Sequence, residues 1–219
     1  MRVRAFFGDR SDYGELVARF PAARRREEED RDWVQSARDL LQPMEVGERF
    51  FLAPVWRDDP APAGRMRIAV NPGMAFGTGV HPTTRLAMEA LERYVSPGAT
   101  VLDVGTGSGI LAEAARLLGA GRVVGCDIDP VAVEIGGAGF VGSVDAVRSE
   151  SVDIAVANIS PEAVVGLAGD LLRVLKPGGV LLASGFEAQE LEGVKRALSE
   201  AKETRTLENW ALVAVERRG

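Results

Sequence analysis

The chain has 219 residues, 46% of them hydrophobic and 26% charged, which supplies the core of one substantial α/β domain plus an appendage and excludes a disordered chain. A net charge of −6 argues against nucleic acid as a direct partner, and one cysteine (Cys126) with one histidine (His81) excludes a disulfide framework or a Cys/His metal cluster. No apolar run reaches the length of a membrane span and the start carries no signal-peptide pattern, so a cytoplasmic protein without membrane contact is expected.

Residues 3–7 (VRAFF) read as a strand, 13–20 as a short amphipathic helix, and 24–32 (RRREEEDRD) as a solvated charge block. Residues 33–41 (WVQSARDLL) have helical periodicity, which Gln42-Pro43 ends. Short strands are expected at 49–54 and 67–70. The proline-rich loop between them, 57–64 (RDDPAPAG), places a domain boundary between about residues 55 and 66. The next stretch, 71–84 (NPGMAFGTGVHPTT), is dense in Gly, Pro and Thr and leads into a helix over 83–94, with Thr83 or Thr84 as its cap. The N-terminus of that helix can close over a ligand bound at the following strand.

Residues 101–109 (VLDVGTGSG) organise the rest. An apolar run ending on Asp103-Val104 breaks into Gly105, Gly107 and Gly109, the pattern of a buried parallel strand entering a tight turn at the mouth of a helix, here 110–118. Residues 122–127 (RVVGCD) form the next strand. Its final Asp127 lies 22 positions after Gly105, near the offset at which an acid meets the ribose hydroxyls of a bound nucleoside. The third glycine comes one residue earlier than in the dinucleotide fingerprint. That tighter turn favours a ligand without phosphates, such as adenosine carrying an amino-acid tail.

Beyond Asp127, Asp129-Pro130 opens a helix that Gly136, Gly137 and Gly139 interrupt after about residue 135, and 140–143 read as a short strand. Residues 152–158 (VDIAVAN) make a stronger strand ending on Asn158. A helix over 161–175, a Lys176-Pro177-Gly178-Gly179 turn, a strand over 180–184, a helix over 187–201 and an antiparallel edge strand over 210–215 complete the chain. Strands alternating with helices at this density imply a doubly wound, mostly parallel sheet of seven strands, Rossmann-like, with a small N-terminal α+β appendage.

NPGMAFGTGVHPTT, LDVGTGSGILA, VVGCDIDP, VANI and LKPGG, in this order and spacing, resemble the ribosomal protein L-eleven methyltransferase family, over about residues 32–219. The resemblance implies a class I methyltransferase fold, S-adenosylmethionine as cofactor, and methylation of amino groups on that ribosomal protein. It assigns 1–60 to a truncated substrate-recognition region and linker, and 61–219 to the cofactor-binding methyltransferase domain. Thr84 would contact the methionine end, Gly105 and Gly107 would pack under the ligand, and Asp127 would hold the ribose. Asn158 would line the opening where donor and acceptor meet and is the candidate catalytic residue. Phe76, Thr78 and His81 would belong to the loop covering that opening, His81 with a loop-ordering hydrogen bond as an equal alternative. No metal site is implied, and a monomer is expected. Two departures stand out: the family usually carries more chain ahead of Asp32-Trp33, and a longer helix after Asp127, so one wall of the adenine pocket would be rebuilt from residues 140–144. Other acceptors, or a non-catalytic cofactor-binding module, remain open; a nicotinamide-dependent dehydrogenase is disfavoured by the early third glycine.

Overall fold

Strands made almost wholly of apolar residues must be covered on both faces, and the chain arranges its helices accordingly. The computed structural model describes residues 19–20, 42–71, 79–137, 139–198 and 200–218. The chain divides into two compact units, Met1–Leu40 and Leu41–Gly219. The strand expected at 3–7, the helix at 33–41 and the charge block at 24–32 lie outside the described residues, as does the helix at 13–20 except for its last two positions.

The second unit opens with β1 (Met44–Val46), β2 (Phe50–Pro54) and β3 (Met66–Val70), a three-stranded sheet in which β2 pairs antiparallel with β1 and parallel with β3. β1 is too short to show a pattern in the sequence. Because β2 and β3 pair across all five residues, the boundary expected near residue 60 falls in the loop joining two partners of one sheet, and the compact unit begins at Leu41 instead. Backbone pairing across the proline-rich loop outweighs its linker-like composition.

Helix α1 (Pro82–Tyr94) follows, then β4 (Thr100–Val104), α2 (Ile110–Leu117), β5 (Arg122–Asp127), α3 (Pro130–Gly136) and β6 (Gly139–Val141). After a 3-10 turn at Val144–Ala146 come β7 (Val152–Asn158), α4 (Pro161–Arg173), β8 (Leu175–Glu187), α5 (Leu191–Leu198), β9 (Glu203–Leu207) and β10 (Trp210–Glu216). The main sheet has seven strands in the order β6-β5-β4-β7-β8-β10-β9. The first five run parallel, and β10 is antiparallel to both its neighbours.

Side-chain alternation divides the sheet between two cores. Val101, Ile154, Val156, Leu182 and Leu212 face α1 and α2, while Leu102, Ala155, Ala157, Leu181 and Val213 face α4 and α5. The chain winds from β4 to one side through β5 and β6, then returns to β7 on the other. The strand order therefore reverses between β4 and β7, where ligands of doubly wound sheets bind at the strands' carboxyl ends.

Two expectations change here. β10 is antiparallel but interior, because β9, an alternation of Glu, Thr and Arg with no apolar stripe, pairs outside it and forms a charged edge. The Lys176-Pro177-Gly178-Gly179 turn is absorbed into β8, whose register slips between the Val152–Leu175 and Ile154–Val180 pairs. Among the described residues no helix is long and apolar enough to cross a membrane.

Candidate functional site

The turn after β4 is built around Gly105, with φ 71°. A β-carbon there would stand 2.4 Å from Ile159 Cγ2, so only glycine lets Ile159 close over the strand end. The amides of Gly105 and Thr106 both donate to Cys126 O of β5, at 2.8 and 3.1 Å, which ties the turn to the neighbouring strand. Gly109, with φ 77°, caps α2 and has no side chain to do so. Asp103 takes over that role: its Oδ2 accepts from Ala112 N at 3.1 Å and from Thr106 Oγ1 at 2.8 Å. A carboxylate beneath a helix N-terminus satisfies a free amide and opposes the helix dipole.

Asp103 is buried and its Oδ1 has no hydrogen-bond partner. Burial raises its pKa from 3.8 to about 6, against the lowering effect of Thr106 and Ala112. The folded chain thus keeps this proton over a range in which the unfolded chain has lost it. The associated stability is complete below pH 3.8 and is lost as pH rises through about 6, by ~3 kcal/mol. Comparing urea melts of the wild type and Asp103→Asn from pH 4 to 7 should show that loss in the wild type relative to the variant; parallel curves would refute it.

The cavity at the reversal point has a volume of ≈ 340 Å³. It brings together Thr84 from α1, Gly105 and Gly107 from the turn, Asp127 from β5 and Asn158 from β7, five of the seven residues expected from the sequence. Phe76 and Thr78 lie outside the described residues. Asp127 is held by backbone donors on both oxygens, Gly107 N to Oδ2 and Asp129 N to Oδ1, each at 3.0 Å. Each oxygen retains a lone pair for a further donor. Asn158 Nδ2 donates to Thr84 Oγ1 at 3.2 Å, a link across 74 positions that fixes the amide plane and leaves Oδ1 to accept from a ligand.

Neither threonine caps α1. His81 does, its Nδ1 accepting from Thr83 N at 3.4 Å and lying 2.8 Å from Thr83 Oγ1, with Pro82 in the first turn. Its ring meets Trp210 edge-on at 4.5 Å. Thr84 is thereby freed from capping and remains buried beside Asn158. His81 thus makes the ordering hydrogen bonds of the loop-ordering alternative, at the start of α1. His81→Ala should lower stability by about 1 kcal/mol in a urea melt, as loss of a cap does, and an unchanged midpoint would contradict this.

Several further residues line the cavity: Ile128, 81% exposed, follows Asp127, and Gly142 and Ser143 come from the stretch 140–144 expected at one wall. Ile159, Ala163 and Leu167 close the β7 side. The position of Ile128, directly after the strand-ending acid, is the cue by which it was findable. Cys126 also lines the cavity, but burial pushes its thiol up to about 11, so no thiolate nucleophile is available near neutral pH. Among the described residues no lysine, arginine or histidine lines the cavity, and no group of three or more His, Cys, Asp or Glu is arranged to hold a metal ion.

A family model described as "Ribosomal protein L11 methyltransferase (PrmA)" matches residues 3–218. The chain is 43% identical over 189 residues to a ribosomal protein L11 methyltransferase of Symbiobacterium thermophilum, covering 82% of this chain and 62% of that one. It is 41% identical over 213 residues to the Burkholderia pseudomallei protein of the same name, covering 92% and 71%. Thus the chain spans between three-fifths and three-quarters of the length of these relatives. Among solved structures, a ribosomal protein L11 methylase from Lactobacillus delbrueckii subsp. bulgaricus superposes with a TM-score of 0.75 at 30% identity, over 82% of this chain and all of that one. A seven-stranded doubly wound sheet, a cavity at its reversal point and a family match over nearly the whole chain lead to one conclusion: this chain belongs to the ribosomal protein L11 methyltransferase family.

Proposed function

We propose that the chain transfers methyl groups from S-adenosylmethionine to amino groups of ribosomal protein L11, working as a monomer in the cytoplasm without contact to nucleic acid or membrane. The reading rests first on the lining of the cavity. Among the described residues it is largely apolar, lacks any basic side chain, and presents one carboxylate whose oxygens retain acceptor capacity. This suits an uncharged nucleoside better than a pyrophosphate. Asp127 would hold the ribose hydroxyls, Ile128 and the Gly142–Ser143 wall would flank the base, and Thr84 with Gly105 and Gly107 would receive the methionine end.

S-adenosylmethionine supplies a methyl group already activated by a sulfonium, so the transfer is an in-line displacement. A neutral amine would form the new C–N bond with its lone pair as the C–S bond breaks, that bond's electrons staying on sulfur and the amine's proton passing to solvent. The protein's share is alignment and exclusion of water. The role of Asn158 rests on its hydrogen bond to Thr84. With Nδ2 engaged, Oδ1 can accept an N–H of the incoming amine and orient its lone pair.

The test is incubation of purified chain and S-adenosylmethionine with recombinant ribosomal protein L11, followed by intact-mass analysis. Mass gains in steps of one methylene are expected. Cofactor binding without any gain would refute this acceptor and point to another.

A further inference from the structure

The wall formed by Gly142 and Ser143 has little to hold it from its own neighbourhood. α3 is seven residues long, β6 three, and the next stretch is a single 3-10 turn. Support comes from the other side of the sheet order. Arg173, the last residue of α4, reaches back across 24 to 29 positions of chain. Its Nη1 donates to Val147 O at 2.8 Å and Ser149 Oγ at 3.0 Å, and its Nη2 to Val144 O at 3.3 Å and Asp145 O at 3.2 Å. The remaining donor, Nε, bonds Asp170 Oδ1 at 2.7 Å, so the planar fork is aimed by its own helix. Its backbone joins in, Arg173 O accepting from Glu150 N at 3.0 Å and from Arg217 Nη1 at 3.2 Å.

These acceptors begin at the residue directly after Ser143. At the other end, Gly142 N donates to Asp127 O at 2.9 Å, so the wall is strung between the ribose-side strand and the guanidinium clasp. Val144, the first of the clasped residues, is fully buried. We propose that Arg173 is a positioning residue for the nucleoside end of the cavity: it holds the Gly142–Ser143 wall in the shape that receives the base of an adenosyl ligand. This rests on the S-adenosylmethionine reading. Four acceptors held by one rigid fork do here what packing of a longer helix would otherwise do.

The test uses Arg173→Met, which keeps the stem and removes every donor, and Arg173→Lys, which keeps the charge but cannot bridge four acceptors. Wild type and variants are titrated calorimetrically with S-adenosylmethionine and with 5′-methylthioadenosine, which has the nucleoside without the amino-acid tail. Methylation kinetics and amide hydrogen exchange are measured on the same proteins. For Arg173→Met both affinities should fall by about tenfold, KM for S-adenosylmethionine should rise in proportion, and kcat at saturation should stay within about twofold. Exchange should quicken in 142–150 and not in α1, and Arg173→Lys should fall between. If Arg173→Met fails to fold, the Lys variant should show the same split between KM and kcat.

A variant that merely melts earlier, with both affinities and KM unchanged, would overturn the proposal, as would a loss confined to kcat. A wild type that binds no S-adenosylmethionine would instead refute the functional reading. Exchange across 142–150 in the ligand-free chain then decides on Arg173 alone, and equal rates in wild type and variant would overturn its role.

Discussion

Asn158→Ala should reduce methyl transfer by about 10²-fold while leaving affinity for S-adenosylmethionine within about threefold. Asn158 ends β7 at the cavity's rim, and its amide is the polar side chain there whose free oxygen can meet an amine. Its removal takes away an orienting acceptor for the nucleophile and, in addition, leaves Thr84 Oγ1 without its donor. Uniform binding is not its task, so KM for the cofactor should hardly change and kcat should carry the loss. Full turnover in the variant, measured at saturating cofactor and acceptor, would remove Asn158 from the mechanism.

Asp127→Ala should act at the opposite end of the cavity and on the opposite parameter. Its two oxygens order the glycine turn through Gly107 N and the start of α3 through Asp129 N. The same oxygens would accept the ribose hydroxyls. Charge-assisted bonds of this kind are worth about 1.5–3 kcal/mol each, so affinity for S-adenosylmethionine should fall by at least about 10²-fold. Calorimetry of wild type and variant reads this directly, and an unchanged dissociation constant would show that the nucleoside lies elsewhere.

Much of this site was legible because its residues occupy positions fixed by local chemistry. Gly105 and Gly107 mark a turn in which both take a positive φ, Asp127 ends a buried strand at the right offset, and Asn158 ends β7 on the far side of β4. The doubly wound sheet followed from alternation of apolar strands with helices. The losses have equally specific causes. Two adjacent threonines after a proline resemble caps, and nothing local reveals that His81 accepts from Thr83 and leaves Thr84 to pair with Asn158. β9 carries no apolar stripe because it forms the sheet edge, so its ETRTL sequence reads as loop until β10 is there to pair with it. From the short α3, residues 140–144 were expected to form one cavity wall, and Gly142 and Ser143 of that stretch line the cavity, but their support was not legible. That support comes from Arg173, which in the sequence is merely a basic residue in the last turn of a helix.

Domain organisation shows the same limit. The loop at 57–64 has the composition of a linker, yet it connects β2 to a parallel neighbour, and pairing between strands cannot be read from loop composition. Asp103, by contrast, stands in plain sight before the glycine turn. Its role beneath α2 emerges only when Gly109 is seen to leave that helix without a side-chain cap.

The most direct test of the central claim is a crystal structure of the full chain with S-adenosylhomocysteine. The account predicts the ribose hydroxyls within hydrogen-bond distance of Asp127, the base between Ile128 and the Gly142–Ser143 wall, and the sulfur facing Asn158. Ligand density away from the cavity between Thr84, Asp127 and Asn158, or a base held on another face of the sheet, would contradict it.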